Sequence, residues 1–174
     1  MPRWPLTEVG IRRMRALATW FDAVPPAAVW ASTETKAIEG AGIVARRFGL
    51  PVHVLDGLGE NDRSSTGYLP LDAFQAMADA FFARPDEEVR GWESARAAQA
   101  RMVASVSEVL RESPPGDVVV VAHGAVSALL RCHLAGAAIS RAWDQPGAGY
   151  LFAVARDAFP GPGVATEWVA LPPG

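Results

Sequence analysis

Four consecutive valines, Val118 to Val121, follow Gly116-Asp117 and run through Ala122-His123-Gly124 into Ala125-Val126-Ser127-Ala128-Leu129-Leu130-Arg131. β-Branched side chains suit a pleated position covered on both faces, so the run reads as a buried, central strand of a parallel sheet. The pattern then switches to helical periodicity. His123 is therefore expected at the carboxyl edge of that strand, beside a helix N-terminus whose free N–H groups favour anions. Open α/β sheets bind ligands along that edge. The stretch predicts an anion site, with phosphate as its natural occupant.

The rest of the chain supplies partners for such a strand. Leu6 to Phe21 reads as a helix with Thr7 as N-cap and an apolar stripe of Ile11, Met14, Leu17, Ala18 and Phe21. Ala27 to Ala31 is a short apolar strand. A helix from Glu34 to Phe48 follows and stops at Gly49-Leu50-Pro51, and Val52 to Leu55 forms another strand. Strand, helix, strand at this spacing is a βαβ unit. Gly57 to Pro70 has no periodicity and reads as a long, functional loop. Helices are expected over Leu71 to Ala83, Glu87 to Arg111 and Ala125 to Leu134, and a β pair over Tyr150 to Ala155 and Val164 to Ala170. No repeat or linker divides the chain, so one domain over residues 1–174 is expected.

Composition narrows the function classes. Half of the 174 residues are apolar, enough to bury roughly 70% of the unfolded surface. A formal charge of −3 argues against nucleic-acid partners. No apolar run reaches the roughly 20 residues of a membrane span, and Met1-Pro2-Arg3-Trp4-Pro5 lacks a signal-peptide core, so a cytoplasmic protein without membrane contacts is expected. Cys132 is the only cysteine and sits in an apolar helix, which reads as core packing. The oligomeric state is not readable from the pattern. Other hydrolase signatures are missing: there is no Gly-x-Ser-x-Gly, no Gly-Lys-Ser/Thr phosphate loop and no His-Glu-x-x-His.

Five segments share an order with a known family. They are Pro5-Leu6-Thr7-Glu8-Val9-Gly10, Ser32-Thr33-Glu34-Thr35-Lys36-Ala37 with Ala41, Leu58-Gly59-Glu60, Gly91-Trp92-Glu93-Ser94 with Arg101, and Val121-Ala122-His123-Gly124. From about Pro5 to Ala155 the chain resembles the histidine phosphatase superfamily with its phosphoglycerate-mutase-like fold. The resemblance implies an α/β three-layer sandwich, a mostly parallel sheet with helices on both faces. In that family the first strand ends in Arg-His-Gly, precedes the Pro-Leu-Thr segment and lies between the strands that end here at Ala31-Ser32 and Ala122-His123. This chain begins four residues before Pro-Leu-Thr. An N-terminally incomplete domain is therefore expected, its first strand missing and its central ladder left unpaired.

The resemblance also implies roles. A family member passes a phosphoryl group to a nucleophilic histidine and then to water or another acceptor, without metal or cofactor. His123 corresponds to the second histidine, which stabilises the transferring group, and Glu60 to the proton donor. Lys36 stands where the family carries an arginine; it brings charge to the phosphate without the bidentate fork. Ser32 and Gly124 would complete the phosphate site, although Ser32 also suits a cap for the next helix. Glu93 corresponds to a residue that positions the pocket. No internal histidine replaces the nucleophile, because His53 and His133 fall in the wrong elements. The expected ligand is phosphate or a small phosphorylated molecule. The expected activity is phosphomonoester hydrolysis or transfer in a complete relative, impaired or absent in the chain as given. The alternative is a non-catalytic phosphate-ligand binding or protein-interaction domain on the same scaffold.

Overall fold

The computed structural model describes residues 3–161 and 165–172. Helix α1 (Glu8–Trp20) starts where the Thr7 hydroxyl accepts a hydrogen bond from Gly10 N at 3.1 Å, the expected cap. Strand β1 (Ala28–Ala31) leads to α2 (Thr35–Phe48), which ends on Gly49 in the left-handed conformation, φ 66°. Strand β2 (Val52–Val54), α3 (Leu71–Ala83), α4 (Ala95–Glu112), β3 (Val118–Val121) and α5 (Gly124–Leu134) follow. The short antiparallel pair of β4 (Tyr150–Leu151) and β5 (Val169–Ala170) closes the order, extended by a bridge between Val154 and Ala165. Pro162, Gly163 and Val164 of the expected β pair lie outside the described residues, as do Met1 and Pro2.

The main sheet is parallel, in the order β2-β1-β3. Alternation along β1 sorts the core into two layers. Val29 and Ala31 face α1 and α2, packing with Leu17, Ala41 and Val44, while Ala28 and Trp30 face Phe81, Met102, Val126 and Leu129 of α3, α4 and α5. Helices thus cover both faces, the three-layer α/β arrangement expected. Each fully buried Leu, Val or Phe contributes roughly 1.5–3 kcal/mol of transfer free energy.

Two expectations need correction. The valine strand is neither central nor buried on both faces: β3 is an edge of the sheet, and of its four residues only Val119 is buried. The central strand is β1, buried at all four positions, because it alone has a ladder on each side. Nor does an unpaired gap separate the two strands. β1 and β3 pair directly, Ala28 with Val118 through Ala31 with Val121, so their backbone groups satisfy one another. The helix expected from Glu87 starts instead at Ala95. Arg90 and Gly91 take left-handed backbone, φ 52° and 77°, and the Ser94 side chain caps α4 by accepting from Ala97 N. Among the described residues, no helix is long and apolar enough to cross a membrane.

Candidate functional site

Register builds the site. The ladder ends at Ala31 and Val121, and Ser32 N continues it by donating to the Val121 carbonyl at 3.2 Å. One residue past β1 and two past β3, Ser32 and His123 stand side by side. Ser32 Oγ lies 2.7 Å from His123 Nε2, and Glu34 Oε1 lies 3.2 Å from the same nitrogen. Glu34 N donates to Ser32 Oγ at 3.3 Å. The second Glu34 oxygen pairs with Lys36 Nζ at 3.0 Å. Ser32 is wholly buried and does not cap α2 through its side chain; Glu34 occupies the cap position. The helix-cap alternative for Ser32 is thereby replaced by a contact with the imidazole.

Burial decides the charges here. His123 is 8% exposed, and desolvation holds its imidazole below the usual 6.5, against the upward pull of the Glu60 and Glu34 carboxylates. Burial thus favours its neutral form. Burial pushes Glu34 up, but His123 and Lys36 together outweigh it and hold the carboxyl below 4.5. A carboxylate oxygen 3.2 Å from Nε2 favours the tautomer with its proton on that atom. A serine nucleophile activated by histidine would need its acid on the opposite ring nitrogen, so this trio is not such a device.

The α5 N-terminus, where phosphate is expected, is occupied by a carboxylate of the chain itself. Glu60 Oε1 accepts from Val126 N at 3.2 Å and Glu60 Oε2 from Ala125 N at 3.4 Å. Asn61 N donates to Glu60 Oε1 as well, while Arg63 comes within 3.9 Å of Oε2. Glu60 therefore reaches the same helix start as His123 from a different element. Arg101 holds its loop. Arg101 Nε and Nη2 clasp the Glu93 carboxylate at 3.0 and 2.7 Å, and the guanidinium also donates to the carbonyls of Gly57, Gly59 and Glu60 at 2.8, 3.0 and 3.3 Å. Glu93 in turn exchanges backbone and side-chain bonds with Asp62. Glu93, expected to position the pocket, is thus joined through Arg101 to the loop that carries Glu60.

The structure thus brings together His123, Ser32, Gly124 and Glu60, with Lys36 linked through Glu34. Glu34 lies inside one of the family-like segments without an expected role, and Arg63 and Asn61 lie outside all of them. Arg63 stacks its guanidinium over Phe74 and Trp92, 5.2 and 5.6 Å from the ring centroids, and no spacing signal marks it. The Asn61 amide nitrogen is buried with no hydrogen-bond partner among the described residues. His53 is exposed on β2, stacked on Trp30 at 4.8 Å, and His133 Nε2 contacts the Pro160 carbonyl at 2.8 Å, so neither joins the site. Two cavities lie elsewhere, lined by none of these side chains: one of ≈800 Å³ between α1 and α2, and one of ≈530 Å³ lined by Arg131, Trp143 and Trp168.

Solved structures share this fold over nearly the whole chain. A mycobacterial glucosyl-3-phosphoglycerate phosphatase is 22% identical, with 95% of this chain and 88% of that one covered and a TM-score of 0.72. YhfR from Bacillus stearothermophilus is 24% identical, with coverage of 96% and 87% and a TM-score of 0.74. The alpha-ribazole phosphatase from Shigella flexneri is 21% identical, with coverage of 98% and 86% and a TM-score of 0.64. No curated protein matches the chain. The family model of the histidine phosphatase superfamily, branch 1, matches residues 2–150, which include the His123-Gly124 strand end, the Glu60 loop and the Arg101 clasp. The chain belongs to the histidine phosphatase superfamily, branch 1.

Proposed function

We propose that this chain recognises the phosphoryl group of a small phosphorylated molecule at the start of α5, as the binding half of a phosphomonoesterase site. One observation carries the reading: a buried imidazole stands at the end of β3, and the next helix start already holds an oxyanion, the Glu60 carboxylate, on two N–H groups that have no partner within the helix. A phosphoryl oxygen matches that carboxylate in charge and in hydrogen-bond demand. The mycobacterial relative has been captured with inorganic phosphate and with VO3, which supports this choice of ligand.

The roles follow from position. His123 donates from Nε2 to the incoming oxyanion, exchanging Ser32 and Glu34 for it. Gly124, Ala125 and Val126 offer backbone N–H groups, and Lys36 and Arg63 bring positive charge. Glu60 leaves its resting place at Ala125 and Val126 to admit the ligand. Once displaced, it takes up a proton from solvent, and the carboxylic acid then gives that proton to the leaving oxygen. Glu93 and Arg101 set the loop that carries it. Transfer through a phosphohistidine further requires a nucleophilic imidazole facing His123, a place that neither His53 nor His133 takes. A second reading, phosphate-ligand binding without turnover, is favoured by the Lys36–Glu34 pair, which spends on the chain a charge that catalysis would direct at phosphate. Two measurements decide. Calorimetric titration with inorganic phosphate should show binding that His123→Ala weakens at least about tenfold; undiminished binding refutes the site. Release of phosphate from an aryl phosphate, abolished by the same change, selects hydrolysis over binding alone.

A further inference from the structure

At Gly124 the space a side chain would fill is taken by the end of another side chain. This glycine opens α5, and a Cβ built on it would meet Gln145 Nε2 at 2.6 Å and Gln145 Cδ at 3.4 Å. The Gln145 amide therefore rests on the Cα of the residue that follows His123. It comes from the loop after α5, far along the chain from every segment that carries the family resemblance, and sequence reasoning gave it no part.

The approach is held from several sides. Ser140 Oγ caps the preceding turn by accepting from Ala142 N at 3.2 Å. Arg141 reaches across to the carbonyl of Gln75 at 3.1 Å and to Asp79, both on α3. Trp168 Nε1 donates to the Trp143 carbonyl at 2.9 Å, and Gln145 N donates to Asp144 Oδ1 at 2.8 Å. The turn before Gln145 is thus tied to α3 and to Trp168, while the Gln145 side-chain amide makes no hydrogen bond to any described residue. A half-buried primary amide pressed against a helix start, with its donors unspent, is placed to serve a ligand.

We propose that Gln145 is a ligand-contacting residue of the His123 site, its Nε2 donating to an oxygen of the phosphoryl group bound at the α5 N-terminus. The inference rests on the phosphoryl-site reading and adds a donor from a third element. It also explains the glycine: Gly124 leaves room for that amide, so the two residues work as one unit. Alanine at 124 would push the amide aside. The displaced atom is the far end of a flexible side chain, and alanine suits a helix start at least as well as glycine, so the fold should hold.

The test titrates inorganic phosphate into the full chain by calorimetry, with thermal melting beside it. Gln145→Ala should weaken binding about tenfold and Gln145→Glu more, each with the melting temperature unchanged. Gly124→Ala should match Gln145→Ala, and the double variant should be no weaker than either single one, because both remove the same contact. His123→Ala separates this inference from the reading beneath it. Binding lost in His123→Ala but kept within twofold in Gln145→Ala overturns the role of Gln145 and leaves the phosphoryl site standing. Additive losses in the double variant overturn the coupling. No phosphate binding by the unaltered chain at millimolar concentration overturns both. Should Gly124→Ala fail to fold, the two Gln145 variants decide alone.

Discussion

Replacing Arg101 by methionine should loosen the Glu60 loop and destabilise the fold by about 3 kcal/mol. The guanidinium makes five hydrogen bonds, two to the Glu93 carboxylate and three to the carbonyls of Gly57, Gly59 and Glu60. Breaking a fully buried pair costs roughly 3–5 kcal/mol, and an exposed pair is worth about 0–1. Here the side chains are 28% and 19% exposed, between those limits, and three carbonyls lose their donor besides. Methionine keeps the stem that packs along the loop, so the loss is polar. For a chain of this length about 3 kcal/mol corresponds to a fall in melting temperature of roughly 6–12 °C. Glu93→Gln, which keeps volume and one acceptor, should cost about half as much. The two changes together should fall short of additivity by about 2 kcal/mol, the signature of a shared interaction. Urea titrations followed by tryptophan fluorescence report it directly, because Trp92 adjoins Glu93 and bonds Thr66 in the same loop. A melting temperature for Arg101→Met within about 2 °C of the unaltered chain would refute the clasp as the element that sets Glu60.

Three further outcomes follow from the same structure. Phe81, 1% exposed and edge-on to both Phe82 and Trp92, should cost about 3–5 kcal/mol when cut to alanine, measured by urea unfolding. Stability should rise with pH across the window just below 6.5, since the unfolded chain binds a proton there that the buried His123 does not. That slope should vanish in His123→Gln when urea midpoints are compared between about pH 5 and 7, whereas Glu34, with its carboxyl held low, contributes only below 4.5. Glu34→Gln should tighten inorganic phosphate several-fold in calorimetry, because it removes a negative charge within about 4 Å of the proposed anion and frees Lys36; weaker binding would show Glu34 to be a positioning group instead.

What was legible in the chain is what local chemistry decides. Thr7 caps α1, Gly49 ends α2, and α3 runs from Leu71 to Ala83 as its apolar period requires. Ser32, Glu60, Gly124 and His123 stand out in short segments; in the fold Ser32 meets His123, and Glu60 meets the helix that Gly124 opens. The failures are failures of distance. Four valines look alike whether a strand has neighbours on both sides or on one, so the edge position of β3 is set by pairing that its own residues do not encode. Lys36 was legible as a cation but not as one already paired, since Glu34 turns toward both it and His123. Arg63 and Gln145 sit in loops without period, and only the folded chain brings them to the helix start.

The contact between Ser32 and His123 is itself a consequence of strand pairing. Neighbouring strands lie about 4.8 Å apart, so a strand inserted between β1 and β3 would set their ends nearly 10 Å from one another. Serine is too short to reach an imidazole across that gap. The 2.7 Å contact between Ser32 Oγ and Nε2 therefore belongs to the closed β2-β1-β3 sheet, and with it comes the approach of Glu34 to the same nitrogen. In this arrangement the face of His123 that would meet a phosphoryl oxygen is engaged by the chain. Hydrogen bonds exchange at nearly even cost when one acceptor replaces another, so they do not decide whether the ligand enters. Charge does: a dianion must displace one carboxylate at the helix start and settle beside a second at His123. If the proposed site takes phosphate, mutations of Glu34, Glu60, Lys36 and Arg63 should move its affinity more than any change to the sheet that carries them.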